Sequence, residues 1–70
     1  MQTFTLKGDY IELNKLLKFY SLVESGGEAK SAITAWLVMV NGKQEFRVRN
    51  KLVAGDVVKF AQDEIQIVAA

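Results

Sequence analysis

The sequence predicts an α+β fold in which two short helices sit within a run of about five short strands. Two stretches with apolar residues at helical spacing occupy residues 9–35, each opened by a polar residue with a glutamate three positions on. From Leu37 the apolar pattern becomes extended, and Asn41-Gly42 then supplies the dipeptide of a tight β-hairpin. The 70 residues fit a single domain, 1–70, with no internal repeat, low-complexity run or linker.

Thr3-Phe4-Thr5-Leu6 alternates polar and apolar residues, as a short half-buried strand does. Lys7-Gly8-Asp9 breaks it. Asp9 and Glu12 then have capping-box spacing, so the first helix is expected to start there, with Leu13, Leu16, Leu17 and Tyr20 as its buried stripe. Ser25 and Glu28 repeat the capping pattern, and Ala29, Ala32 and Ile33 form a narrow stripe of mostly small residues. Such a stripe lets two helices approach closely, so residues 9–35 read as an αα-hairpin joined through Ser21–Glu24.

Leu37-Val38-Met39-Val40 is apolar on both faces, which suits a covered strand. After the Asn41-Gly42 turn, residues 43–49 read as a continuous return strand. Lys43, Glu45, Arg47 and Arg49 would share its outer face, while Phe46 and Val48 would point to the core. Ala54-Gly55-Asp56 is a turn, followed by strands at Val57–Phe60 and Ile65–Val68.

Composition narrows the chemistry. The chain has no cysteine and no histidine, so it has neither disulfide staples nor thiolate or imidazole metal ligands. A serine nucleophile finds no histidine partner within the chain. Gly26-Gly27-Glu28-Ala29-Lys30-Ser31 misses the nucleotide-binding loop pattern, because Ala29 and Glu24 stand where that loop requires glycine. Glu24 with Glu28, and Asp63 with Glu64, are paired carboxylates without a pocket-forming pattern around them. The expectation is a protein that is not an enzyme and carries no metal or cofactor. The longest apolar run, Ala35–Val40, is far too short to cross a membrane. With no targeting signal at Met1-Gln2-Thr3, a cytoplasmic protein without membrane partners is expected.

Charge is uneven although the net value is only +1. Residues 43–59 carry Lys43, Arg47, Arg49, Lys51 and Lys59 against Glu45 and Asp56 alone. Alternate cations on a strand stand about 6.6–7 Å apart, close enough to phosphate spacing to follow a nucleic-acid backbone. Arginine suits that role because its planar fork grips phosphate with two hydrogen bonds. Backbone amides at the start of the second helix could receive a further phosphate oxygen. Exposed aromatic platforms are not evident, since Phe4, Phe46 and Phe60 all read as core.

The ordered set Leu13-x-x-Leu16-Leu17-Lys18, Ser25-Gly26-Gly27-Glu28-Ala29-Lys30, Val38-x-Val40-Asn41-Gly42, Glu45-x-Arg47, Lys51-Leu52 and Gly55-Asp56-x-Val58 closely resembles a known family. This is the RNA-binding domain first recognised in ribosomal small-subunit protein S-four, also called the αL motif. Its small stand-alone bacterial members of the YbcJ type look most alike, and the resemblance runs from about Tyr10 to Phe60. It implies a helix pair packed on a small, mostly antiparallel sheet that binds structured RNA, ribosomal or transfer RNA, with ribosomal assembly partners. Carried over position by position, it points to Lys18, Ser25, Gly26, Gly27, Lys30, Asn41, Lys43, Arg47, Arg49 and Lys51 as the RNA-binding residues.

Two positions depart from the family pattern. Many members carry a basic residue near Gly27, and this chain does not. Trp36 stands where most have glycine at the close of the second helix. A left-handed helix end is costly for tryptophan, so that helix is expected to end differently, with Trp36 packed in the core or at its rim; the alternative is an exposed residue that stacks on RNA. The alternative function is a protein-interaction adaptor, docking on a ribosome or an enzyme through the apolar Leu22-Val23 segment or a sheet edge.

Overall fold

The computed structural model describes residues 2–70. Its elements, in chain order, are β1 (Gln2–Thr5), β2 (Ile11–Glu12), α1 (Leu13–Phe19), α2 (Gly26–Thr34), β3 (Val38–Val40), β4 (Lys43–Gln44), β5 (Lys51–Leu52), β6 (Val57–Phe60) and β7 (Asp63–Val68). The main sheet runs β1-β7-β6-β3-β4, and a two-stranded ribbon pairs β2 with β5. Every pairing is antiparallel except β1 with β7, where Gln2 lies opposite Ile65 and Thr5 opposite Val68. The two helices pack on each other, and their apolar residues close over the sheet. Leu13, Leu16, Leu17, Ala29 and Ile33 from the helices bury fully against Val38, Leu52, Val58, Ile65 and Ile67. This is the α+β arrangement the sequence predicts, with two added two-residue strands that no alternation could reveal.

The second helix starts as its sequence requires. Ser25 has extended backbone, and its Oγ accepts a hydrogen bond from the Glu28 amide at 3.1 Å. The first helix does not. It begins at Leu13, Glu12 makes no side-chain cap, and Asp9 lies in a bend upstream. Its opening amides are satisfied from a distant segment instead: Leu13 donates to the Asn50 carbonyl at 2.9 Å and Asn14 to the Val48 carbonyl at 3.1 Å. Those bonds replace the expected box and tie residues 48–50 to the start of α1. Glu12 is half-buried, pairs in register with Lys51, and approaches Lys15 Nζ at 3.7 Å.

Both helices end in the same six-residue wrap, each with a non-glycine residue in the left-handed region. After α1, Ser21 (φ 57°) donates to Lys18 and Leu22 to Leu17; after α2, Trp36 (φ 65°) donates to Ile33 and Leu37 to Ala32. The expectation for Trp36 is therefore reversed. The left-handed end forms despite its cost to a bulky residue, and it leaves the indole 52% exposed. Leu37 follows the wrap outside β3 and is also largely exposed, so the covered strand begins only at Val38.

Leu22 and Val23 are not a free docking segment. Val23 is in the core and Leu22 packs against it, because the wrap after α1 turns both inward. The β3–β4 hairpin forms as predicted, with Asn41 (φ 54°) and Gly42 (φ 82°) both left-handed and Val40 opposite Lys43.

Candidate nucleic-acid interface

The return strand stops after two residues, and that shapes the site. Glu45 is buried rather than facing solvent. Its amide donates to the Val38 carbonyl at 3.0 Å, and its carboxylate closes on the chain two residues ahead. Oε2 accepts from the Arg47 amide and from Arg47 Nε, both at 2.9 Å, while Oε1 accepts from Arg47 Nη2 at 3.1 Å. This local clasp bends the chain out of the pleat, and Asn50 donating to the Arg47 carbonyl at 3.1 Å completes a turn. Phe46, expected in the core, is thrown outward and is 57% exposed. The cations thus lie on a short strand, a turn and β5, and not along one ribbon.

The rearrangement still gathers most of them. Arg49 lines a shallow concavity with Asn14, Gly26, Gly27, Lys30 and Val48. A second depression is walled by Arg47, Arg49, Asn50 and Lys51. A third, wider one includes Asn41, Lys43, Phe46, Arg47, Asn50 and Lys51. The first and second share Arg49, and the second and third share Arg47, Asn50 and Lys51, so the three follow one another as a shallow groove from the start of α2 to the Asn41-Gly42 hairpin. Lys18 sits in the last turn of α1, exposed and outside this groove.

Electrostatics within the groove follow from where the two acids go. Glu45 is engaged by Arg47, whose guanidinium holds its carboxyl below the ordinary value of 4.5; Arg47 is correspondingly raised. Asp56 is engaged by the fold itself: Oδ2 accepts from the Val53 amide and Oδ1 from Asn41 Nδ2, each at 2.9 Å. Among the described residues no salt bridge engages Lys30, Lys43, Arg49 or Lys51. Lys51 is steadied by the ring of Tyr10, with Nζ 4.9 Å from its centroid.

Three of the residues singled out from sequence have structural occupations. Asn41 Oδ1 accepts from the Val57 amide at 2.8 Å while its Nδ2 binds Asp56, so its amide locks the hairpin to the 54–56 turn. The Ser25 hydroxyl is engaged by Glu28. Arg47 is held by Glu45. Gly26 and Gly27 lie in the first turn of α2, where amides have no partner within the helix, and they border the concavity that holds Lys30 and Arg49.

Sequence reasoning missed Phe46 and Tyr10, and placed Trp36 in the core or at its rim ahead of an exposed stacking role. Trp36 and Phe46 are an exposed pair with ring centroids 5.4 Å apart, tilted by 43°. The missed signal was Glu45 beside Arg47, a pair able to close a two-residue clasp and reverse the facing of everything between.

The sequence and architecture have counterparts. YbcJ of Escherichia coli (strain K12) is 47% identical over 70 residues, which cover 99% of this chain and all of that protein. YbcJ of Shigella flexneri matches equally. The solution structure of Escherichia coli YbcJ aligns with 99% of this chain and 89% of its own, at a TM-score of 0.73, and is described as revealing an αL motif involved in RNA-binding. The S4 domain model matches residues 4–68. On that span, the chain belongs to the S4 domain family.

Proposed function

We propose that this protein is a non-catalytic RNA-binding module that captures structured RNA, of the ribosomal or transfer class, along the groove between α2 and the β3–β4 hairpin. The observation that carries the reading is the fate of Glu45 and Asp56. Both acids of the basic segment are consumed internally, and Lys30, Lys43, Arg49 and Lys51 are exposed and make no salt bridge among the described residues. Family membership and the RNA-binding motif described for YbcJ support the same reading.

In this reading Arg49 and Lys30 grip one phosphate group beside the free amides of Gly26 and Gly27, where the helix terminus adds its own positive field. Lys51, Lys43 and, more weakly, Arg47 continue along the backbone, and Lys18 adds attraction from the flank. Ser25 and Asn41 act by holding the helix start and the hairpin in position. Recognition rests on phosphate position and RNA shape, so affinity is modest and falls steeply with salt. With such a partner the protein works in the cytoplasm, with ribosomal assembly as its setting.

Crosslinking in cells, followed by sequencing of the bound RNA, tests this directly. The wild-type chain should recover a defined set of structured RNAs, and the double variant Lys30→Ala/Arg49→Ala should lose most of that signal at equal expression. Undiminished recovery by the double variant would remove the groove from the account.

A further inference from the structure

Trp36 and Phe46 stand beside the cationic groove with about half of each residue in water. Phe46 forms part of the wall that also contains Lys43, Arg47 and Lys51. Trp36 is joined to the same hairpin through its carbonyl, which accepts from Gln44 Nε2 at 3.1 Å. The tryptophan is costly where it stands. Its left-handed backbone would suit glycine, and about half of the residue still stands in water.

The two rings pack together with centroids 5.4 Å apart, so nothing flat can enter between them, and each residue remains more than half exposed. An aromatic pair beside exposed lysines fits one kind of partner, a nucleotide whose base stacks while its phosphates meet the lysines. A base inside a duplex cannot reach such a face, because its own neighbours already cover it. An unpaired base in a loop or bulge can.

We infer that Trp36 and Phe46 form a stacking platform for an unpaired base of the RNA held in the groove, so that the preferred partner is a stem with a single-stranded loop or bulge. This inference rests on the RNA-binding reading above and adds the class of RNA. The stem's backbone follows Arg49, Lys51 and Lys43, and the splayed base lands on the aromatic pair at the hairpin end.

The chain has one tryptophan, so intrinsic fluorescence excited at the red edge of the indole band reports this position alone. Wild-type protein is titrated with a hairpin RNA bearing an adenosine-rich loop and with a fully paired duplex of the same stem length. The hairpin should quench Trp36 strongly and bind more tightly; the duplex should bind with little quenching. Phe46→Ala and Trp36→Gly should each lose about tenfold in hairpin affinity, in keeping with one lost base stack, and Trp36→Gly should leave duplex affinity and salt slope unchanged. Trp36→Gly places glycine on a left-handed backbone, which offsets the packing lost with the ring, so its thermal midpoint should stay near that of the wild type and separate loss of binding from loss of fold. Hairpin binding without quenching, or equal hairpin affinity in both variants and the wild type, would overturn the platform while leaving the groove intact. Absence of binding to either RNA by the wild-type protein would instead overturn the RNA-binding reading itself, and the platform with it.

Discussion

Glu45 and Arg47 are bound to each other by three hydrogen bonds, two from the guanidinium and one from the Arg47 amide, all between 2.9 and 3.1 Å. The carboxylate is buried and the guanidinium exposed. The clasp therefore stabilises the turn and withdraws one arginine from free use. Arg47 and Arg49 look equivalent in the sequence and are not equivalent in the structure. Arg49→Ala should weaken RNA binding clearly and reduce the slope of log affinity against log salt by about 0.7–0.9 for each phosphate left unneutralised. Arg47→Ala should change that slope less, yet lower stability more, because it strands a buried carboxylate. Salt titrations of both variants, beside their denaturant midpoints, check the contrast; equal slopes with equal stabilities would contradict it.

The same pair sets a pH dependence. Arg47 holds the Glu45 carboxyl below its ordinary value of 4.5 in the folded protein. A carboxylate whose folded value is depressed contributes stability above its unfolded value and loses it as pH falls through the folded one. The advantage of the wild type over Glu45→Gln should thus be complete above about pH 4.5, shrinking in more acid solution. Urea midpoints for both proteins across pH 2.5–7 should converge at the acid end (a range chosen to span roughly two units either side of the carboxylate value). Curves that stay parallel would show that the pair does not titrate with folding.

How far the sequence could be read depended on whether the deciding interaction was local. Ser25 caps Glu28 three residues away, and Asn41-Gly42 closes a two-residue turn, so both were legible from neighbours alone. The stripe of Leu13, Leu16 and Leu17 was legible for the same reason. The start of α1 was not, because its amides are satisfied by carbonyls more than thirty residues on, at Val48 and Asn50. A capping box at Asp9 and Glu12 was locally plausible and gave way to that distant pairing. Arg47, Arg49 and Phe46 were misplaced together. Strand alternation assumes an unbroken pleat, and the Glu45 clasp breaks it at the second residue, sending Phe46 outward and the arginines onto a turn. Lys30 and Arg49 still meet at one concavity, because the bonds from α1 hold residues 48–50 against the helix pair.

Ser25 offers a test of the α2 start that does not depend on RNA. Its hydroxyl is the side-chain cap of this helix, and Gly26 and Gly27 have low intrinsic helicity. Ser25→Ala should cost about 1 kcal/mol, whereas Ser25→Asp should be close to neutral in stability because it keeps the acceptor. The aspartate would also place a negative charge beside Lys30 and Arg49, so Ser25→Asp should bind RNA less well than Ser25→Ala despite folding better. Denaturant melts and an RNA titration of the two variants should therefore rank them in opposite orders. A single shared ranking would separate the cap from the binding surface.

Asn41 makes a sharper demand on the hairpin. Its Nδ2 donates to Asp56, its Oδ1 accepts from the Val57 amide, and its backbone is left-handed. Removing the side chain deletes two hydrogen bonds, each contributing about 1 kcal/mol, so Asn41→Gly should lose roughly 2 kcal/mol despite accommodating the backbone more easily. Asn41→Ala should lose somewhat more, since alanine also bears the strain of the positive φ. Asn41→Asp keeps the acceptor for Val57 but turns a donor toward Asp56 into a second carboxylate, so like charges meet where a hydrogen bond was. Chemical denaturation of the three variants at pH 7 gives the order; an Asn41→Asp protein as stable as the wild type would mean that Asp56 is not the partner of this side chain in solution.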